Sequence, residues 1–144
     1  VVKQTTSTVF AGIDSGFNHL IRPMLYNSYH HIENISNPEG RERYYSVVGY
    51  ICETDTFGNN RRIAEIREGD ILKFNNAGAY CFSMASNYNS RYRPAEVLWH
   101  NNKAHLIRKR ETFDDIFGFL IVSISAFFDV LGGYFYKSAE LQVK

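Results

Sequence analysis

Hydrophobic and polar residues along this chain are arranged in short runs that are typical of β-strands. Residues 8–13 and 44–51 are rich in β-branched and aromatic residues, and the first run ends at a turn signal. Residues 70–74 alternate like a short strand directly after Gly69. The pattern therefore predicts a domain built mainly from β-strands.

A hairpin is predicted near the end of the regular pattern. Residues 95–99 and 104–108 have strand character and flank the polar residues 100–103, which suit a tight connection between antiparallel strands. Two other polar segments, residues 34–41 and 54–60, contain Asn with Gly or Pro and are predicted to be loops.

One short helix is expected among these strands. Pro23 fits the first turn of a helix, where its missing N–H is not needed, and Leu25, Tyr26 and Tyr29 follow at helical spacing. Together the elements predict an all-β domain, a Greek-key barrel or sandwich with one or two short helices.

The end of the chain has a different composition. Residues 116–128 carry no charge, but Asp129 interrupts the run before the roughly 20 residues that a transmembrane helix needs. A helix or strand that faces the core or a partner is the alternative to a membrane span. We therefore divide the chain into a β domain, residues 1–115, and an atypical hydrophobic tail, residues 116–144, for which the sequence indicates no role.

Composition limits the possible functions. The chain has 144 residues, the length of one domain, and its 10 Tyr and 11 Phe are enough for a packed core. A net charge of +1 does not favour a nucleic-acid partner. The two cysteines cannot form a disulfide framework and no signal peptide is evident, so a reducing, cytoplasmic compartment is expected. Because the chain starts at Val1 without a Met, we expect it to be part of something longer.

The histidines do not form a metal-ligand pattern with cysteine or carboxylate residues, so no metal site is predicted. The four concerned are His30, His31, His100 and His105.

The first candidate site residues lie on the predicted helix. Arg22 precedes Pro23, and Tyr26 follows four residues later, so one side of a helical turn would carry two hydrogen-bond donors. The planar guanidinium of arginine suits a carboxylate. The alternative is a surface arginine and a packed tyrosine.

A second candidate pair, Cys52 and Glu53, comes directly after the strand that ends at Ile51. This position is the rim of a β domain, where binding sites are often found. A thiol with an ordinary pKa of about 8.5 keeps its proton at neutral pH and can act as a general acid. The alternative is a structural cysteine next to an exposed glutamate.

The segment of residues 75–93 combines small, aromatic and amide side chains with neither helical nor strand periodicity. Loops of this kind usually serve a site on a rigid scaffold. Small residues around Tyr80 would let the backbone approach a ligand closely.

Four motifs resemble those of the diaminopimelate decarboxylase family, within the fold-type-III, alanine-racemase-like pyridoxal-phosphate enzymes that act on ornithine, diaminopimelate and arginine. They are L-I-R-P-M-L-Y at residues 20–26, C-E-T at 52–54, A-G-A-Y at 77–80, and S-N-Y-N-S-R-Y-R-P-A-E-V at 86–97. The resemblance covers about residues 10–116 and is closest in the last motif. Differences from the family pattern are Thr54, Asp55, Asn76 and Cys81, and we interpret Cys81 as a packing residue.

The resemblance implies a role for each candidate residue. Arg22 and Tyr26 would bind the far carboxylate of the substrate, and Glu53 its distal amino group. Cys52 would donate a proton to the carbon left by CO2 loss. Tyr80 would contact both the cofactor phosphate and the substrate.

The resemblance also implies the context of this domain. The cofactor is pyridoxal 5′-phosphate, and its Schiff-base lysine and phosphate loop belong to a separate α/β barrel domain outside this chain. Two subunits would pair as a homodimer with shared active sites, with the segment 86–97 at the interface. This chain alone should therefore be inactive.

The implied reaction is decarboxylation of meso-2,6-diaminopimelate to L-lysine and CO2. Two alternatives remain open. One is a related decarboxylase acting on ornithine, arginine or carboxynorspermidine. The other is a non-catalytic β-module that only dimerises.

Overall fold

A computed structural model describes residues 1–52, 54–116 and 118 of the chain. The predicted tail therefore lies almost wholly outside the described residues. The strands and α-helices, in chain order, are β1 (Val2–Gln4), β2 (Val9–Gly12), α1 (Arg22–Tyr26), β3 (Ile32–Asn34), β4 (Glu42–Val48), β5 (Thr56–Ala64), β6 (Leu72–Phe74), α2 (Gly78–Cys81), β7 (Glu96–His100) and β8 (Lys103–Arg108). Two short 3-10 turns, Phe82–Met84 and Tyr88–Ser90, follow α2.

The described strands form three sheets. A four-stranded sheet has the order β1-β2-β4-β5, and β3 pairs with β6 and β7 with β8. All pairs are antiparallel except β2 and β4, which run parallel with Phe10 opposite Ser46. Within the described residues no helix is long and apolar enough to cross a membrane.

The core lies between the four-stranded sheet and the β3–β6 pair. Phe57 of β5 packs edge-on against Phe74 of β6, with ring centroids 5.1 Å apart. Tyr45 is buried with its hydroxyl, which accepts a hydrogen bond from the Ile66 amide at 3.0 Å, so its polar group is satisfied. The buried cluster consists of Ala11, Leu20, Ile32, Tyr45, Val47, Phe57, Ile63 and Ile66.

The predicted all-β class is confirmed, and most predicted elements are present. Residues 8–13, 44–51 and 70–74 correspond to β2, β4 and β6, and the hairpin corresponds to β7 and β8. Asn101 and Asn102 both adopt positive φ, as a two-residue hairpin turn requires. The short helix is also present, although Tyr29 lies beyond its end.

The prediction of a loop at residues 54–60 is wrong, because β5 begins at Thr56. Between Tyr45–Arg61 and Val47–Gly58, β5 contains one more residue than β4, which is the signature of a β-bulge. Asn60 has a φ of 50° within this bulge. The polar G-N-N sequence therefore reflects a bulged strand.

Candidate active site

Helix α1 presents Arg22 at its first residue and Tyr26 at its last. Pro23 occupies the first turn, and Asn27 ends the helix in the left-handed conformation while its backbone N–H bonds to the Arg22 carbonyl. Tyr26 is 61% exposed, so its hydroxyl is available to a ligand or to another part of the protein.

Arg22 and Tyr80 lie together. The guanidinium carbon of Arg22 is 4.9 Å from the centre of the Tyr80 ring, within the range of a cation–π contact. Tyr80 belongs to α2 and is 55% exposed. Two residues that were predicted separately to bind the substrate or cofactor therefore form one pair, in which Tyr80 is exposed and Arg22 is half-buried.

Cys52 lies in an exposed turn after β4, and Asp55 fixes the backbone of that turn. The Asp55 carboxylate accepts hydrogen bonds from the amides of Phe17, at 2.7 Å, and Ile51, at 2.8 Å. Asp55 is only 4% exposed, and this burial raises its pKa, although the two amide hydrogen bonds oppose the change. A Cβ at Gly49 would collide with the Asp55 carboxylate, so the turn requires glycine there.

The side chain of Asn89 contacts Cys52. Its Nδ2 lies 3.7 Å from the Cys52 Sγ, within the range of a hydrogen bond to sulfur. Nearby, the guanidinium carbon of Arg91 lies 4.3 Å from the centre of the Tyr50 ring. Within the described residues, no hydrogen bond or ring contact joins Cys52–Asn89 directly to Arg22–Tyr80.

The segment before α1 connects these two groups indirectly. The Tyr50 amide bonds to the Ser15 carbonyl at 3.1 Å, and the Ser86 amide to the Asn18 carbonyl at 2.9 Å. The Cys81 thiol donates to the His19 carbonyl at 2.9 Å. The backbone of residues 15–19 thus holds the Cys52 turn, the 86–93 segment and helix α2.

The imidazole of His19 makes a further connection. Its Nε2 lies 2.9 Å from the Tyr92 carbonyl oxygen, and its Nδ1 lies 2.9 Å from the Ser15 hydroxyl. Because a carbonyl can only accept, Nε2 carries the proton, and in the neutral ring Nδ1 accepts from Ser15. The ring also meets Tyr50 edge-on at 6.1 Å.

Glu111 braces the 86–93 segment from the other side. It accepts hydrogen bonds from the Asn87 side chain, at 2.6 Å, and from the Arg93 amide, at 2.8 Å, and pairs with the Arg93 guanidinium. Burial alone would raise the pKa of the Glu111 carboxyl, but the Arg93 amide, the Asn87 side chain and the Arg93 charge together hold it below its ordinary value.

Two residues discussed in the sequence analysis remain, Cys81 and Glu53. Cys81 is a free thiol packed against the core, which confirms its interpretation as a packing residue, and burial raises its pKa. Glu53 lies outside the described residues. The described residues contain no group of three or more His, Cys, Asp or Glu that could hold a metal ion.

Sequence reasoning missed the structural roles of four residues. His19 and Asp55 are buried polar residues, Asn89 contacts Cys52, and Glu111 organises Asn87 and Arg93. Of these four residues, only Asp55 could have been noticed in the sequence, because it differs from the family pattern. Asn89 belongs to a recognised motif, but its spacing could not identify a contact across 37 residues.

Comparison with known protein families agrees with this geometry. The profile of the pyridoxal-dependent decarboxylase C-terminal sheet domain matches residues 1–78, more than half of the chain. The chain belongs to this family. The resemblance inferred from the four motifs is therefore confirmed at the level of the family and fold.

Individual relatives of this sheet domain are diaminopimelate decarboxylases. The enzyme of Methanothermobacter thermautotrophicus is 53% identical over 110 residues, which cover 74% of this chain and 26% of that protein. Two solved structures in complex with L-lysine are also similar. The M. jannaschii structure has a TM-score of 0.75 and 40% identity, covering 80% of this chain and 26% of that one. The Helicobacter pylori structure has a TM-score of 0.77 and 35% identity, covering 85% and 30%.

The sheet domain spans about a quarter of the length of the curated relatives that it matches. The matched region is therefore one part of those longer proteins. Within the described residues, the domain supplies three exposed candidate site residues, Tyr26, Cys52 and Tyr80, and a half-buried one, Arg22.

Proposed function

We propose that this chain is the C-terminal domain of a pyridoxal-phosphate-dependent carboxy-lyase that converts meso-2,6-diaminopimelate to L-lysine and CO2. The observation that carries the proposal is the contact between half-buried Arg22 and exposed Tyr80 on the sheet domain of this decarboxylase family. Two similar proteins are diaminopimelate decarboxylases crystallised with L-lysine, which supports the same substrate class here.

Arg22 and Tyr26 are assigned to the far carboxylate of the substrate. Both residues are on α1, and a guanidinium offers paired N–H donors with the geometry of a carboxylate. Glu53 is assigned to the distal amino group as its counter-charge. An arginine and a glutamate together select a substrate that has both a carboxylate and an amine at its far end.

Tyr80 is assigned to the cofactor phosphate as well as to the substrate. Its exposed position and the guanidinium over its ring suit an anionic group. Bound pyridoxal phosphate would supply the electron sink for the carbanion formed by loss of CO2. The domain itself supplies orientation of the substrate and a proton.

Cys52 is assigned as the donor of that proton. Its thiol is exposed at the end of a turn that Asp55 holds rigid. Because Cys52 is exposed on the surface of this domain, the substrate and cofactor must be held against it by another protein surface. We propose that a second subunit provides this surface, so that a homodimer shares its active sites across the interface.

The remaining assignments concern the chain as a whole. We propose residues 1–115 as the functional β domain and residues 116–144 as a separate tail. We also propose a cytoplasmic location, in keeping with a small-molecule amino-acid substrate.

A chimera tests the function directly. The matching C-terminal region of the M. thermautotrophicus enzyme is replaced by this chain, and CO2 and L-lysine are measured with meso-diaminopimelate, ornithine, arginine and carboxynorspermidine. The expected result is turnover of meso-diaminopimelate, with loss of activity in a Cys52→Ala chimera and not in an Arg41→Lys control. Preference for another substrate would support a related decarboxylase instead. A folded, cofactor-loaded chimera without turnover would support the non-catalytic β-module.

A further inference from the structure

The contact between Asn89 and Cys52 is made by an unusual stretch of backbone. Asn89 and Ser90 both have left-handed conformations, with φ of 55° and 56°. Two consecutive left-handed residues other than glycine are uncommon, because the Cβ crowds the following carbonyl. Asparagine tolerates this conformation better than most residues. The backbone therefore adopts an unfavourable local shape at the position that carries the amide to the sulfur.

Contacts on both sides hold this stretch in place. Before it, the Tyr88 ring packs on Phe17 with centroids 5.1 Å apart, and Asn87 bonds to Glu111. After it, the Tyr92 carbonyl accepts the hydrogen bond from His19. These contacts fix the backbone on both flanks of the position from which the Asn89 side chain reaches Cys52.

Contacts also fix the backbone on the Cys52 side. Asp55 accepts a hydrogen bond from the amide of Ile51, and the Tyr50 ring contacts both the His19 ring and the Arg91 guanidinium. The titratable or charged groups that contact the residues just before Cys52 are Asp55, His19 and Arg91, and Glu53 follows it in sequence. Asn89 is the neutral side chain whose N–H group directly faces the sulfur.

We propose that Asn89 is a positioning residue for Cys52, whose side-chain amide donates a hydrogen bond to the sulfur. The bond occupies one lone pair of Sγ and fixes the rotamer of the thiol, so that the S–H proton points away from Asn89. When the proton leaves for the substrate carbon, the electron pair of the S–H bond stays on sulfur, and the amide stabilises the resulting thiolate. The catalytic part of this inference rests on the proposed function, but the hydrogen bond does not.

The hydrogen bond is tested on the chain itself, without any decarboxylase assay. Cys52 and Cys81 are alkylated with iodoacetamide across a pH series, and the rate at each cysteine is measured by peptide mass spectrometry. Asn89→Gly removes the amide but accepts a left-handed backbone. We expect the pH of half-maximal alkylation at Cys52 to rise by about half a unit to one unit, since a donor to the charged form is lost.

Two matched variants sharpen the result. Asn101→Gly makes the same change at another left-handed asparagine, in the β7–β8 turn, and should leave Cys52 unchanged. Asn89→Asp keeps a side chain of the same size, but it removes the N–H donor and adds a negative charge. It should therefore raise the pH of half-maximal alkylation at Cys52 further than Asn89→Gly does. Cys81, which is packed against the core, reports whether each variant remains folded.

An unchanged pH of half-maximal alkylation at Cys52 in folded Asn89→Gly and Asn89→Asp would overturn the proposal. If Cys81 becomes reactive in Asn89→Gly, that variant is unfolded, and the alkylation of Cys52 in Asn89→Asp decides. In the active chimera, Asn89→Gly should lower kcat with little change in KM. An inactive wild-type chimera combined with shifted alkylation midpoints would reject the proposed function and leave the Asn89 hydrogen bond standing.

Discussion

The imidazole Nε2 of His19 donates a hydrogen bond to the carbonyl oxygen of Tyr92, 2.9 Å away, across 73 residues of sequence. His19 precedes the helix that carries Arg22, and Tyr92 follows the stretch that places Asn89 against Cys52. The bond therefore connects the backbone around both groups of candidate site residues. His19 is buried, and both of its ring nitrogens have hydrogen-bond partners.

Replacement of His19 by Phe should loosen the 86–93 segment. Phenylalanine keeps the ring against Tyr50 but removes the hydrogen bond to the Tyr92 carbonyl, at a cost of about 0.5–1.5 kcal/mol for one hydrogen bond. Hydrogen exchange should accelerate at residues 86–93, and urea unfolding should show the lower stability. The exposed His31→Phe is the matched control. Unaltered exchange in His19→Phe would show that the other contacts of the segment suffice.

Glu111 should make the stability of the domain depend on pH. Its folded pKa lies below its unfolded value of about 4.3, so its contribution is fully present above that pH and is lost as the pH falls through the folded pKa. Glu111→Gln should reduce the free energy of unfolding by about 1.5–3 kcal/mol at pH 7, because hydrogen bonds to a charged group are replaced. The difference from wild type should shrink towards pH 3.

Denaturant unfolding at pH 7 and at acid pH measures this effect. Glu68→Gln, at an exposed glutamate, provides a control for the general effect of removing one negative charge. A Glu111→Gln deficit that stays constant down to pH 3 would mean that the lost stability comes from packing and not from the carboxylate charge.

The strands that could be predicted were those with a local signal. β2, β4 and the β7–β8 hairpin have clear runs of apolar residues or an Asn-Asn turn. β5 was missed because Gly58 and its asparagine neighbours resemble a loop, and only pairing with β4 turns them into a bulged strand. The β-propensity of a short segment depends on its tertiary context, so pairing with a core strand such as β4 can outweigh loop-like residues.

The sequence nominated candidate site residues but could not indicate how they are arranged. Motif resemblance identified Arg22 and Tyr80, yet nothing in their separate motifs specified a contact of 4.9 Å between them. Asp55 looked like a polar loop residue, and its role follows only from its burial against two backbone amides. Residues that organise a site through backbone hydrogen bonds carry little sequence signal, because many polar side chains could accept the same bond.

Arg22→Lys in the active chimera should weaken substrate binding more than it slows the chemical step. Lysine keeps the positive charge but loses the paired N–H donors and the flat face that lies over Tyr80. The loss of a hydrogen bond to a charged group corresponds to about 1.5–3 kcal/mol, which should appear as a raised KM. Steady-state kinetics with meso-diaminopimelate decide this, with Arg41→Lys as the control. An unchanged KM would place Arg22 away from the carboxylate.

Sharing of Cys52 between subunits predicts a specific result when two defective proteins are mixed. One chimera carries Cys52→Ala and the other lacks its own cofactor lysine, so each homodimer is inactive. General acid catalysis typically contributes about 10²–10⁴-fold, so the cysteine defect alone should be severe. If Cys52 acts on the partner's cofactor, the lysine-intact subunit receives an intact cysteine from the other chain, and that site is whole.

Mixing should then restore part of the activity, in proportion to the heterodimer measured by native mass spectrometry. If Cys52 instead serves the cofactor of its own subunit, every site in the heterodimer keeps one defect and mixing restores nothing. Cofactor absorbance of the Cys52→Ala chimera should equal that of the unmodified chimera, because the role proposed for the thiol is proton transfer and not cofactor binding. Confirmed heterodimers without recovered activity would reject the shared site while the family assignment, which rests on the sheet domain, would stand.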